Sequence, residues 1–364
     1  MNLLLSDPKF LKLRRRLMKA VYHNDPNFKD TTTALVTMIM HPKSRFGASA
    51  EIIPIIITDE RRRPIACAIF IIANKLSDTL QIAFFEALPD QPAAVTLLMN
   101  YAKEIAQFRQ LIRIVIGLNG HVNNGLGFLA GPFNSPACFG SAYNPSYYID
   151  YLAPLATTQH TLVSYIGDFQ TSSMDPDRKL IERATRQFRL RTGNFKNLRS
   201  EIAIYTNLNN RCFQSHPLYS ERSVDDDYEL FKSFGPFLKE ENFLIAEYDG
   251  QPIGFLLWYP DFHELIRAGK SIGVRTLMKY RIFKRPISRF KITEIGVLQE
   301  FQGTGVIAGL ILLCCDIAKK HHLTCETGWI FDTNKKSRSI ATRWISKPYK
   351  TYTAFEIDLK QGNS

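Results

Sequence analysis

Residues 292–310 read ITEIGVLQEFQGTGVIAGL, and the order of elements in this stretch decides the fold. An apolar run (Ile292, Ile295, Val297, Leu298) has strand character. It breaks at Gln299 and Glu300 into a short turn, Gln302-Gly303-Thr304-Gly305, and resumes over 306–318 as an apolar segment that reads as a helix. Strand, glycine turn and helix in that order gather backbone N–H groups and the positive end of a helix dipole at one place, which suits a phosphate. The stretch is neither a dinucleotide fingerprint nor a P-loop. It lacks G-x-G-x-x-G, and no Gly-Lys-Ser/Thr follows the turn, so the residues alone leave an anion site and a plain tight turn as the two readings.

Outward from this turn, residues 242–260 (NFLIAEYDGQPIGFLLWYP) predict a hairpin centred on Asp249-Gly250. Downstream, 324–331 reads as a strand, the residues after Asn334 as a helix, and 352–359 as a closing strand. Upstream, 162–168 and 201–204 read as strands, 175–191 as a charged helix, and 207–214 and 225–237 as further helices. The first half repeats this order. Helices are expected at 9–22 and 34–40, strands at 51–57, 64–72 and 80–88, a helix at 93–108, and a strand at 112–118. The glycine- and aromatic-rich segment 119–148 reads as a long ordered loop. The fold class is therefore α/β (α+β), with mixed sheets flanked by helices. The repeated order predicts a diverged tandem of two domains, 1–158 and 159–364.

A chain of 364 residues fits two domains of about 150–200 residues each. The net charge is +12, from 46 basic and 34 acidic side chains. Part of that excess is local. Between Leu265 and Thr293 stand Arg267, Lys270, Arg275, Lys279, Arg281, Lys284, Arg285, Arg289 and Lys291, with no acidic residue. Such a segment favours a polyanionic partner. Its interleaved apolar residues over 265–291 suit an acyl carrier protein or an anionic membrane surface. Nucleic acid is disfavoured, because no binding motif accompanies the charge. Six cysteines, none at metal-ligand spacing, read as reduced structural thiols, and no metal is expected. There is no apolar run of about 18 residues and no signal-peptide pattern at the N-terminus, which predicts a cytoplasmic protein.

The pattern V-x-x-x-F-Q-G-T-G-V resembles the cofactor motif of the GNAT superfamily of acyl-CoA-dependent N-acyltransferases. DGQPIGFLLWYPDF (249–262) is similar to that superfamily's second and third strands. Residues 325–357 (CETGWIFDTNKKSRSIATRWISKPYKTYTAFEI) are similar to its last segment. With IGLNGHVNNGLGFL, FNSPACFG, YNPSYYIDYL and Phe84-Phe85-Glu86 in the first half, the chain resembles a bacterial group of tandem GNAT-like proteins. The resemblance implies that backbone groups of Gln302, Gly303, Thr304, Gly305, Val306 and Ile307 hold the pyrophosphate of acyl-CoA. Val297 and Leu298 would meet its pantetheine arm. Ile307 stands where the superfamily has a small residue. The first domain has no such turn after its 112–118 strand and is expected not to bind the co-substrate.

What the resemblance implies for chemistry is transfer of an acyl group, acetyl in the first instance, from CoA to a small-molecule or peptide amine. An amine attacking a thioester must lose a proton. Glu294 lies on the motif strand between apolar neighbours and is the candidate base. It could equally be a surface glutamate or a partner for nearby arginines. The superfamily's helix tyrosine would fall near Ala341, so Tyr349, beyond the helix, is the candidate acid. Asn334 is expected to bind pantetheine or to cap its helix. An acyl-carrier-protein-dependent transferase and a catalytically silent acyl-CoA-binding protein are the alternatives.

Overall fold

Ile55 and Ile57 belong to one buried apolar cluster and Ile56 to another, so the strand that carries them is covered on both faces. The computed structural model describes residues 1–168, 177–345 and 347–360. It divides into two units: Met1–Leu162 with Arg267–Ser271 and Lys350–Ser364, and Val163–Ile266 with Ile272–Tyr349. The boundary expected at 158/159 falls inside a strand, and the first unit takes in two later segments of chain.

The first unit runs β1 (Asn2–Leu5), α1 (Phe10–Val21), α2 (Thr32–Ile39), α3 (Arg45–Ala48), β2 (Ala50–Thr58), β3 (Pro64–Ala73), β4 (Thr79–Ala87), α4 (Pro92–Phe108), β5 (Arg113–Ile116), β6 (Phe128–Gly131) and α5 (Tyr147–Leu152). Strands β1 to β4 pair antiparallel in sequence order, and β5 joins β4 in parallel. Side chains alternate across the sheet. Ala66, Ala68 and Phe70 share a cluster with Leu98, Met99 and Ala102 of α4. Cys67, Ile69 and Ile71 share another with Phe10 and Leu17 of α1 and Val36 and Ile39 of α2. The segment 119–148, expected to be a loop, contains β6 and the start of α5.

The later elements are β7 (Thr158–Asp168), α6 (Arg178–Ala184), β8 (Arg189–Thr192), α7 (Leu198–Phe213), α8 (Val224–Phe234), β9 (Phe243–Tyr248), β10 (Gln251–Pro260), α9 (Val274–Arg281), β11 (Arg289–Val297), α10 (Val306–Ala318), β12 (Thr324–Thr327), β13 (Ile330–Phe331), α11 (Lys335–Trp344) and β14 (Lys347–Asp358). In the second unit β8, β9, β10 and β11 pair antiparallel in that order. Strand β12 is parallel to β11, and β7 is antiparallel to β12. The predicted hairpin is β9–β10. Its turn residues Asp249 and Gly250 both have positive φ, 49° and 75°, as a type I′ turn requires.

Three expectations are corrected. The first two residues of the tract 175–191 lie outside the described residues, and the remainder is not one helix but α6 followed by β8. The strand expected at 201–204 is part of α7. There Ile202, Tyr205, Thr206 and Asn209 are buried at helical spacing, so packing overrides the β-branched run. The closing strand expected to complete the second half is β14, whose residues 355–358 pair with β5 and 351–353 with β6, both in the first unit. Among the described residues no helix is long and apolar enough to cross a membrane.

Candidate functional site

Two neighbouring strands part in the second unit, and the candidate site lies where they do. Strands β11 and β12 pair from Arg289↔Thr324 to Ile292↔Thr327, then β12 ends while β11 continues to Val297. An ion-paired group holds the closed end. Arg289 Nη2 is 2.6 Å from Asp261 Oδ2, and its Nη1 is 3.2 Å from Glu326 Oε2, with both carboxylates fully buried. At the open end Gly328 N–H donates to the Ile292 carbonyl at 2.6 Å. A Cβ at Gly328 would lie 2.6 Å from the Thr293 carbonyl oxygen, so only glycine lets the chain turn away there. On its other edge β11 carries a bulge. Leu257 opposes Glu294 and Trp258 opposes Ile292, which leaves Thr293 as the extra residue.

Glu294 is the first paired residue after this bulge. Its carboxylate accepts hydrogen bonds from Tyr205 Oη at 2.8 Å and Asn209 Nδ2 at 2.7 Å. Tyr205 and Asn209 are one helical turn apart on α7, so both reach the same oxygen. The Tyr219 hydroxyl is 2.9 Å from Asn209 Oδ1 and 2.6 Å from Asn210 Oδ1, which ties it to the same group. Burial raises the Glu294 carboxyl above the usual range. The Tyr205 hydrogen bond, the Arg222 charge, the Asn209 hydrogen bond and the Lys291 charge each act against that rise. Arg222 is ion-paired with buried Asp227, which also accepts from Thr206 Oγ1 at 2.7 Å. Burial likewise raises the Tyr219 hydroxyl, keeping it protonated at neutral pH. Tyr205, Asn209 and Tyr219 are not among the residues expected from sequence. With 201–204 read as a strand, the one-turn spacing of Tyr205 and Asn209 carries no meaning.

Three residues after Glu294, β11 ends at Val297, and the chain passes through a short 3-10 turn (Gln299–Phe301) into the glycine turn. Gly303 and Gly305 have φ of 80° and 91°, a left-handed backbone that disfavours side chains. A Cβ at Gly303 would meet nothing within 4 Å, so the turn is open on that side. The first bond of α10 runs from Gly309 N–H to Gly305 O, which leaves the N–H groups of Val306, Ile307 and Ala308 without intrahelical partners. Gln302, Gly303, Thr304, Gly305, Val306 and Ile307 thus stand at a strand–turn–helix junction of the kind that suits an anion, although the Gln302 N–H donates to the Gln299 carbonyl at 3.1 Å and the Thr304 N–H to the Phe301 carbonyl at 3.4 Å. A Cβ at Gly305 would lie 3.2 Å from Ala184 Cβ, which puts the end of α6, with exposed Arg183 and Arg186, beside the turn.

The remaining candidates fall as follows. Val297 and Leu298 are buried at the end of β11. Asn334 caps α11, its side-chain oxygen accepting from Ser337 N–H at 3.1 Å. Tyr349 lies near the start of β14 and not on α11. Among the described residues no group of three or more His, Cys, Asp or Glu could hold a metal ion.

The first unit has the same strand geometry with a different outcome. Strand β4 pairs with β5 from Thr79↔Arg113 to Ile82↔Ile116, then bulges, with Phe84 at φ 52°. Glu86, the first paired residue after this bulge, accepts from Tyr148 Oη at 2.8 Å and Tyr22 Oη at 3.0 Å, with Arg14 at 3.6 Å. A cavity of about 70 Å³ adjoins it, lined by Tyr22, Phe84, Asn119 and Tyr143 among others. Here, however, the turn between β4 and α4 has fewer N–H groups to offer an anion. Pro92 has no N–H, and the Gln91 N–H donates to Tyr151 Oη at 2.9 Å. The comparable turn lies between β4 and α4, not after the strand expected at 112–118.

The model of the acetyltransferase (GNAT) family matches residues 203–343, from α7 through the glycine turn into α11. A bacterial ceramide synthase of Caulobacter vibrioides is 21% identical over 285 residues, 74% of this chain and 73% of that protein. Among solved structures, a tandem GNAT protein from the clavulanic acid biosynthesis pathway is similar with a TM-score of 0.59. It is 11% identical, and 98% of each chain is covered. A GCN5-related N-acetyltransferase from Sphaerobacter thermophilus is similar with a TM-score of 0.54 at 10% identity, over 98% of this chain and 95% of that one. At these identities the likeness to solved structures is one of fold.

Proposed function

We propose, from the match of residues 203–343 to the acetyltransferase (GNAT) family model, that the chain is a GNAT-superfamily enzyme that transfers an acyl group from acyl-CoA directly to an amine. The observation that carries this reading is the conjunction, on β11 and its following turn, of a half-buried carboxylate and an open glycine cradle. In this reading the pyrophosphate of CoA accepts from the N–H groups of Gly303, Gly305, Val306 and Ile307. Exposed Arg183 and Arg186 beside Ala184 add positive charge there. The pantetheine arm lies along β11 past Ile292, where β12 has turned away, as an added strand would. Asn334 keeps its cap and offers its amide Nδ2 to that arm.

The amine nitrogen attacks the thioester carbonyl. A carbon–nitrogen bond forms, the carbon–sulfur bond breaks, and the proton lost by nitrogen passes to Glu294. CoA leaves as the thiol after taking a proton from a hydroxyl, for which Tyr219 and Tyr349 are the candidates. Burial suits Glu294 to this task, because a carboxylate with a raised pKa is a stronger base. Ceramide is itself an amide, so the relative named for its synthesis also points to an amine as acceptor. Six cysteines, all free, fit a reducing compartment, and we assign the chain to the cytoplasm.

Isothermal titration with CoA, acetyl-CoA and longer acyl-CoAs tests the donor. Wild-type protein should bind, Gly305→Glu should not, and thiol should be released from acyl-CoA when amines are supplied. No binding of any CoA species would sink the proposal. Binding without thiol release would mean a silent binding protein, and turnover with acyl carrier protein alone would mean a different donor.

A further inference from the structure

Helix α9 exposes apolar residues on the side turned away from the unit that holds it. Its inner side is fixed to the second unit. Thr276 is buried, the Tyr280 ring packs edge-on against Phe262 at 5.1 Å, and Lys279 Nζ donates to the Leu265 carbonyl at 2.7 Å. Arg281 is an anchor as well, donating to the carbonyls of Pro236 at 3.0 Å and Leu238 at 2.6 Å. A surface helix held this way ordinarily shows a polar outer side. Here Val274, Met278 and Ile282 recur at every fourth position on the outer side, with exposures of 74%, 41% and 66%. Phe283 follows at 62% exposure. Arg275, Lys284 and Arg285, all exposed, adjoin these residues in sequence. No acidic residue lies between Leu265 and Thr293.

We propose that the outer side of α9 and the residues after it, Val274 to Arg285, dock the protein onto an anionic lipid surface. The apolar side chains are exposed on the outer side of a surface helix, so they fit a medium into which they can insert. The three cations adjoining them in sequence sit at the depth of phosphate headgroups. An acidic carrier protein would answer the charges but leave four protruding apolar side chains unburied. This inference stands on the surface alone and does not require the acyl-transfer reading.

Flotation of the full chain with vesicles of phosphatidylcholine, with and without phosphatidylglycerol, tests it. Wild-type protein should partition onto the anionic vesicles, and less so at high salt. Both Ile282→Ser with Phe283→Ser and the triple charge reversal Arg275→Glu, Lys284→Glu, Arg285→Glu should reduce partitioning by about 10-fold or more. These side chains are exposed, so circular dichroism and the thermal midpoint should not change. As a reading independent of those variants, Phe283→Trp should emit at shorter wavelength on anionic vesicles and be quenched by brominated acyl chains. Wild-type protein that ignores anionic vesicles would overturn the proposal. So would partitioning indifferent to both sets of substitutions, an unshifted tryptophan, or retention by acyl carrier protein in place of lipid.

Discussion

Glu294 shows how one residue balances opposing demands. Burial favours the neutral acid, while the hydroxyl of Tyr205, the amide of Asn209 and the charge of Arg222 favour the anion. Burial prevails, so the carboxyl titrates above its usual range. Only the anion can accept a proton, so turnover should rise with pH through that raised value. Glu294→Gln should lower kcat by about 10²- to 10⁴-fold, leave CoA affinity nearly unchanged, and abolish this limb of the pH–rate profile. Tyr205→Phe removes a donor to the anion and should move the limb to higher pH, as steady-state rates across pH will show. Glu86, in the first unit, makes a parallel prediction for stability. Burial prevails over Arg14 and the two tyrosine donors and brings its carboxyl up to about 7, against 4.5 for an ordinary glutamate. The folded chain therefore holds a proton that the unfolded chain has released. The stability this lends is complete below about 4.5 and is lost as pH rises toward about 7, by up to ~1.4 kcal/mol per pH unit. Urea unfolding at several pH values should show that slope, and Glu86→Gln should flatten it.

Among the elements, the parted strands and the glycine turn depend on different glycines, which substitution can separate. At Gly328 a methyl group would press on a backbone oxygen 2.6 Å away, so Gly328→Ala must shift β12 or β11 where they part. At Gly305 the left-handed backbone costs alanine about 1–2 kcal/mol, with Ala184 Cβ in tight contact at 3.2 Å. We expect both variants to lower the thermal midpoint. Gly305→Ala should chiefly weaken CoA binding by calorimetry, and Gly328→Ala should chiefly lower kcat. The turn was legible in the sequence because it is local: an apolar run, two closely spaced glycines and a second apolar run allow few other arrangements. The β9–β10 hairpin was legible for the same reason, through Asp249-Gly250. The partners of Glu294 were not. The run Glu201-Ile202-Ala203-Ile204-Tyr205 alternates like a half-buried strand, and only packing against β10 and β11 makes it helical. Glu201 is buried in α7 and answered by Arg191 on β8 at 3.1 Å, a pairing between elements that no helical or strand periodicity announces. The bulge at Thr293 is equally silent in sequence, since it is a property of register between two strands.

At the scale of the whole molecule, chain order and spatial order differ. Sequence alone assigns the last strand to the second half. The register assigns it to the first unit, with Phe355 opposite Ile116, Ile357 opposite Ile114, and Tyr352 opposite Leu129. Phe355 and Ile357 belong to the same apolar cluster as Ile114, Ile116 and Leu98. Sequence patterning cannot reveal this, because a strand's alternation reports which face is buried and not which neighbour covers its edge. A chain ending at Ile345 would lose β14, uncover one edge of β5 and take two large side chains from that core. Each such loss typically costs about 2–5 kcal/mol. Such a cost is comparable to the whole stability of many domains, so the first unit should unfold or nearly so. Hydrogen exchange on the shortened chain should show amides of β5 and β6 exchanging as in an unfolded segment. Those of β9, β10 and β11 should remain protected, and the glycine turn on its own unit should still bind CoA by calorimetry. Protection lost chiefly from β9 to β11 would mean that β14 supports the second unit after all, and that the tandem is as linear in space as in sequence.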